Sequence, residues 1–139
     1  MHRFPRRVFT IAGIYGIIVL LPQYFMAERI GRDLPPPITH VEYFYGFIGV
    51  ALAWQFVFLL IGRDPIRFRP LMLPAILEKL VFAVPVFILF AAGRVPASVA
   101  LFGGLDLVLA TLFFIAYRQT AGSAANGATG GARHGLAPE

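Results

Sequence analysis

The chain has 139 residues, of which 58% are hydrophobic and only 14% charged, against about 25% charged in ordinary soluble domains. So much apolar surface in so short a chain excludes a water-soluble domain and makes a bilayer the natural solvent. The net charge of +5 is first an orientation signal in such a chain, and the absence of cysteine excludes disulfides, thiolate metal sites and a cysteine nucleophile.

Four segments are long and apolar enough to cross hydrocarbon as helices: Val8–Met26, His40–Gly62, Leu71–Ala92 and Val95–Tyr117. The basic start, MHRFPRR, resembles the head of a signal peptide. The apolar run is long and no small-x-small cleavage pattern follows YFMAER, so it reads as a retained helix. DLPPPITH is a stiff link because its prolines resist helix. Thr39 and Glu42 have the spacing of a capping box that would start the second helix, and GRDP stops it. Short connections predict an all-α bundle of four antiparallel transmembrane helices, up-down-up-down, over residues 1–118. From residue 119 to 139 the chain is small, polar and Gly-rich, and is expected to be a disordered tail.

Basic residues orient the bundle. Arg3, Arg6, Arg7, Arg63, Arg67, Arg69, Arg118 and Arg133 fall on one side; Arg29, Arg32 and Arg94 fall on the other. The positive-inside rule therefore places both termini in the cytoplasm.

The third segment carries Glu78 and Lys79, and the fourth carries Asp106. Starting the third helix after Lys79 leaves 14 residues up to Gly93, roughly 21 Å of helix, which cannot span a core of about 30 Å. Asp106 likewise divides its segment into halves that are each too short. The charges must enter the membrane with their helices. Lys79 is long enough to snorkel toward headgroups; the carboxylates need a partner, a proton or a wet cavity. Tyr15 and Gln55 fall in the same half of the bilayer. The expectation is one buried polar layer of Tyr15, Gln55, Glu78, Lys79 and Asp106, with Lys79–Asp106 and Glu78–Tyr15 as candidate contacts.

Small residues mark expected helix contacts: Ala12 and Gly16 beside Tyr15, Gly103 and Ala110 beside Asp106, and a stripe of Gly46, Gly49 and Ala53 on a second face of the second helix. Pro85, seven residues after Glu78, frees a backbone carbonyl and suggests a bend. Trp54 either packs in the core or lines a pocket for a flat apolar ligand. Tyr43 and Tyr45 suit an interfacial aromatic belt. His40 and Glu42, even with Glu28 or Asp33, make a poor metal site, and one helix-associated histidine cannot supply bis-His haem ligation. No metal or cofactor is expected. The RDPIRFRP loop suits anionic lipid headgroups and is too small a basic surface for nucleic acid.

The phrases ITHVEYFYGFIGVALAWQ and GRDPIRFRPLMLPAILEK resemble the small four-helix inner-membrane proteins of bacteria. The resemblance covers about residues 8–118 and implies a multi-pass protein of the bacterial inner membrane, without attaching an activity. Small multidrug-resistance transporters are similar in being short four-helix chains built around a membrane glutamate, but theirs lies in the first helix and here Glu78 lies in the third. Sterol-isomerase-like membrane proteins are similar only in surrounding an apolar ligand with acids and a tryptophan, as Glu78, Asp106 and Trp54 would. The reading is a non-enzymatic membrane protein that binds a membrane partner, a second copy of itself or an apolar ligand through its polar layer. A dimeric proton-coupled transporter and a membrane-embedded enzyme on a lipid-like substrate are the alternatives.

Overall fold

The computed structural model describes residues 3–122. It is all-helical: α1 (Arg3–Leu20), α2 (Ala27–Asp33), α3 (Val41–Arg63), α4 (Met72–Ala91) and α5 (Ala97–Gln119). A 3₁₀ turn over Leu21–Phe25 extends α1, and another over Arg69–Leu71 leads into α4. With those turns, four apolar spans of 23 residues each are available, Arg3–Phe25, Val41–Arg63, Arg69–Ala91 and Ala97–Gln119. Each is ~34 Å long at ~1.5 Å per residue, enough to cross the hydrocarbon core. The protein is an integral membrane protein with four spans.

Contacts fix an antiparallel arrangement. Gly62 near the end of α3 meets Thr10 and the Arg6 carbonyl near the start of α1, Gly13 meets Leu59 and the Gln55 carbonyl, and Gly49 meets the Tyr24 hydroxyl. In the second pair, Thr120 reaches Met72, Lys79 reaches Asp106, and Val86 packs on Gly103. Thus α1 pairs with α3 and α4 with α5. Contacts between α1 and α5 join the pairs, whereas α3 and α4 scarcely touch.

Both halves of the bundle show why the helices sort this way. On α4 the buried positions are Met72, Ala75, Lys79, Ala83 and Val86, a stripe at the three- and four-residue steps of one helix face. On α5 they are Ala100, Gly103, Ala110, Phe113 and Ala116, and Asp106 falls in the gap. The opposite faces carry Val81, Ile88, Leu101 and Val108, exposed apolar side chains that suit acyl chains.

The end that holds the chain's first helical turn is packed solid around Phe9, Phe58 and Phe113, all 0% exposed. Phe9 stacks on Phe113 at 4.1 Å between ring centroids, and Phe58 meets Phe113 edge-on at 5.0 Å. Such pairs add ~0.5–1.5 kcal/mol beyond area burial. Arg69 closes the same end: its guanidinium lies 3.8 Å from the Tyr117 ring centroid and its Nη2 donates to the Tyr117 carbonyl at 3.3 Å. This loop arginine is thus turned onto protein as well as toward the surface.

Several expectations change. The first span begins at Arg3, five residues early, and its link to α3 contains α2, which the prolines had hidden. Glu28 in its first turn and Arg32 in its last complement the helix dipole, and Arg29 pairs with Asp33 at 3.4 Å. The capping box does not form: His40 occupies the N-cap position without a side-chain cap, and its Nδ1 holds Glu42 at 3.2 Å instead. Gly46 and Ala53 are exposed, and among the described residues nothing lies within 4 Å of a Cβ built on Gly46, whereas Gly49 meets the Tyr24 hydroxyl. Pro85 is accommodated inside a continuous α4 and is exposed. At Gly93 the backbone turns left-handed (φ 68°), ending α4 where a side chain would be strained. Helix α5 runs to Gln119, and Thr120 is buried, its hydroxyl donating to the Ala116 and Tyr117 carbonyls. The expected tail from residue 123 onward lies outside the described residues.

Candidate functional site

The stripe on α4 aims Lys79 inward, and the gap in the α5 stripe puts Asp106 opposite it. Lys79 Nζ lies 3.2 Å from Asp106 Oδ1 and 3.1 Å from Glu78 Oε2, and donates to Glu78 Oε1 at 3.4 Å. The three side chains are 8%, 18% and 16% exposed respectively. Lys79 therefore does not snorkel. It is the most enclosed of the three, because an ammonium that reached the headgroups would leave two carboxylates alone between the helices. Its Nζ also lies 5.3 Å from the Phe58 ring centroid, so the aromatic floor carries the charge from below.

Above this triad opens a cavity of ≈ 400 Å³. It lies within the 300–1,000 Å³ range of small-molecule sites. All four long helices line it. Its walls are mostly apolar, with Phe47, Phe82, Phe102 and Leu105 among them, and α2 covers the end away from the triad with Ile30 and Leu34. Phe47 and Phe82 stack at 5.9 Å between centroids across the α3–α4 seam. The polar groups in the lining are few: the triad, Tyr15, Gln23, Gln55 and Ser98.

The other members of the expected polar layer reach the cavity without joining the triad. Gln55 is 2% exposed, but its Nε2 donates to the Ala51 carbonyl at 2.8 Å, within its own helix. Its amide presses on Gly16, where any Cβ would overlap it; this is why α1 needs a glycine there. Tyr15 lines the cavity and is 38% exposed; among the described residues no hydrogen bond joins it to Glu78. Trp54 is not in the lining. It packs against Phe58, with 6.2 Å between centroids, and belongs to the core. Ala12 is buried at the base of the cavity, and Gly103 and Ala110 are buried on α5. His40 and Glu42 stand at the exposed start of α3, and no group of three or more His, Cys, Asp or Glu side chains gathers among the described residues.

Sequence reasoning missed the aromatic floor and the α2 cover. The floor had a signal: Phe58 follows Gln55 by three residues and Phe113 follows Asp106 by seven, which places each ring on the face of a polar side chain already assigned inward.

Comparison with protein-family models, with curated proteins and with solved structures found no match to this chain. What supports the likeness to four-helix membrane proteins is accordingly the four spans themselves.

Energetically the triad differs from the surface pair Arg29–Asp33, whose side chains are 70% and 65% exposed. An exposed pair contributes ~0–1 kcal/mol. Removing one partner of an enclosed one costs ~3–5 kcal/mol, because the other charge stays behind unpaired. Lys79→Met is expected to destabilise the detergent-solubilised protein by about that larger amount, and Arg29→Met by less than about 1 kcal/mol. Denaturant melts of the two variants check this; equal losses would contradict it.

Proposed function

We propose that this chain is a non-enzymatic protein of the bacterial inner membrane, with both termini in the cytoplasm, that binds an apolar ligand inside its bundle. The observation that carries the reading is the cavity: apolar walls over most of its length and one charged end formed by Glu78, Lys79 and Asp106. Apolar walls with a few convergent polar groups are the usual build of a small-molecule site.

The enclosure of the triad favours a ligand over a protein partner, since side chains this buried leave little surface for a second protein to touch. The aromatic floor of Phe9, Phe58 and Phe113 makes the cavity a dead end, which favours binding over passage. For an enzyme the arrangement is poor. Both acids share one lysine, and the lining hydroxyl of Ser98 sits eight residues from Asp106, ~12 Å of helix rise away. The orientation rests on the arginines: Arg3, Arg6, Arg7, Arg63, Arg67, Arg69 and Arg118 flank the closed end, against Arg29, Arg32 and Arg94 at the other. The cavity then opens in the outer half of the membrane.

Mass spectrometry of the protein purified in mild detergent tests the ligand. A small organic molecule is expected to be retained by the wild type and by Gly46→Phe, which adds bulk at an open outer position, and lost from Ala51→Phe, which fills the cavity wall. Equal retention by all three, or none by any, would refute the reading. For orientation, reporters fused to either end are expected to signal from the cytoplasm; an outward signal from either would contradict it.

A further inference from the structure

The ligand's chemical class follows from a count of charges in the cavity. Glu78 and Asp106 supply two carboxylates. Lys79 is the only basic side chain among the described residues that line it, and it lies against both, 3.1 Å from Glu78 Oε2 and 3.2 Å from Asp106 Oδ1. One lysine neutralises one ionised acid, and the second must take up a proton or meet another cation. Beyond Lys79 the donors in the lining are neutral ones, on Tyr15, Gln23, Gln55 and Ser98. Glu78 Oε2 is buried and ion-paired to the Lys79 ammonium at 3.1 Å, but accepts no hydrogen bond. Each lining amide already gives one N–H to its own helix, Gln55 Nε2 to the Ala51 carbonyl and Gln23 Nε2 to the Val19 carbonyl. A ligand that settles here gains most by bringing one positive charge and at least one N–H.

The rest of the cavity specifies what must be attached to that charge. Along α3 the lining runs from Gln55 to Phe47, and along α5 from Asp106 to Ser98. Each stretch is eight residues, ~12 Å of helix rise, and is mostly apolar beyond the triad. Phe82 and Tyr15 are among the lining residues, and aromatic faces favour a cation beside them. Building on the proposed ligand-binding role, we infer that the cavity takes an amphiphilic monocation: a protonated amine that shares the carboxylates of Glu78 and Asp106 with Lys79 from the cavity side, with an extended or ring-shaped hydrocarbon body filling the apolar part. A neutral alcohol of the same length would satisfy one oxygen but leave the surplus charge; a fatty acid would add a third carboxylate.

The test uses the full chain in nanodiscs of zwitterionic lipid at pH 7, with empty nanodiscs to correct for partitioning. The probes are decylamine, decanol and decanoate. Charge-assisted hydrogen bonds exceed neutral ones enough that decylamine is expected to bind at least about tenfold more tightly than decanol, with decanoate weakest. Glu78→Gln, which keeps the side chain's shape, should lower decylamine affinity by about tenfold and decanol affinity by clearly less, so that the decanol still bound reports whether the variant's cavity is intact. Equal binding of amine and alcohol by the wild type would overturn the amine assignment and leave the cavity's role standing. Amine binding that ignores Glu78→Gln would overturn it too. Failure of every probe to bind the wild type would overturn both.

Discussion

A charge carried into hydrocarbon must be met there. At a helix centre each one costs ~2.5–3.5 kcal/mol on insertion scales, and in this chain two crossings cannot be completed without theirs. The meeting of Lys79 with Asp106 and Glu78 is the answer the fold gives. It does more than cancel charge. Lipid tails are as apolar as the outward faces of these helices, so hydrophobicity alone does not choose which face turns inward or how far one helix slides along another. An ion pair between α4 and α5 at mid-depth fixes both, and Val86 on Gly103 and Thr120 on Met72 follow the same register.

The two halves of the bundle then take opposite characters. On one side of the triad the helices close on three phenylalanines and leave no space. On the other the helix pairs splay, α3 barely meets α4, and a cavity remains that α2 covers. The triad sits at the junction, supported by the Phe58 ring below and facing open space above. A polar cluster buried only for register could be packed dry. Here it forms one wall of a void, and this makes a binding role the natural reading.

How much of this could be read from residues alone depends on what each signal measured. Position along the helices was legible: Glu78 and Asp106 both lie well inside 23-residue spans, Arg69–Ala91 and Ala97–Gln119. Direction was only partly so. Lys79 looked free to reach headgroups when judged by depth, yet Met72, Ala75, Lys79, Ala83 and Val86 form one stripe, and that periodicity turns it inward. The phenylalanines could not be sorted by type: Phe58 and Phe113 are buried while Phe56 and Phe114 are exposed to the surroundings, and lipid accepts them as readily as a core does. Small residues were ambiguous for a related reason. They permit close approach but do not supply the neighbour. Gly13 and Gly62 have one in α1–α3 packing, whereas Gly46 has none among the described residues.

The central claim is that the triad lies at hydrocarbon depth and faces the bundle interior. The chain has no cysteine, so single cysteines can carry nitroxides without a background. Leu77 and Leu107 are the outward neighbours of Glu78 and Asp106. Collision rates of nitroxides at these two positions in bilayers measure the depth directly. The account predicts frequent collisions with oxygen and few with a water-soluble nickel chelate at both sites. Frequent collisions with the chelate at either would place that acid in water and contradict it.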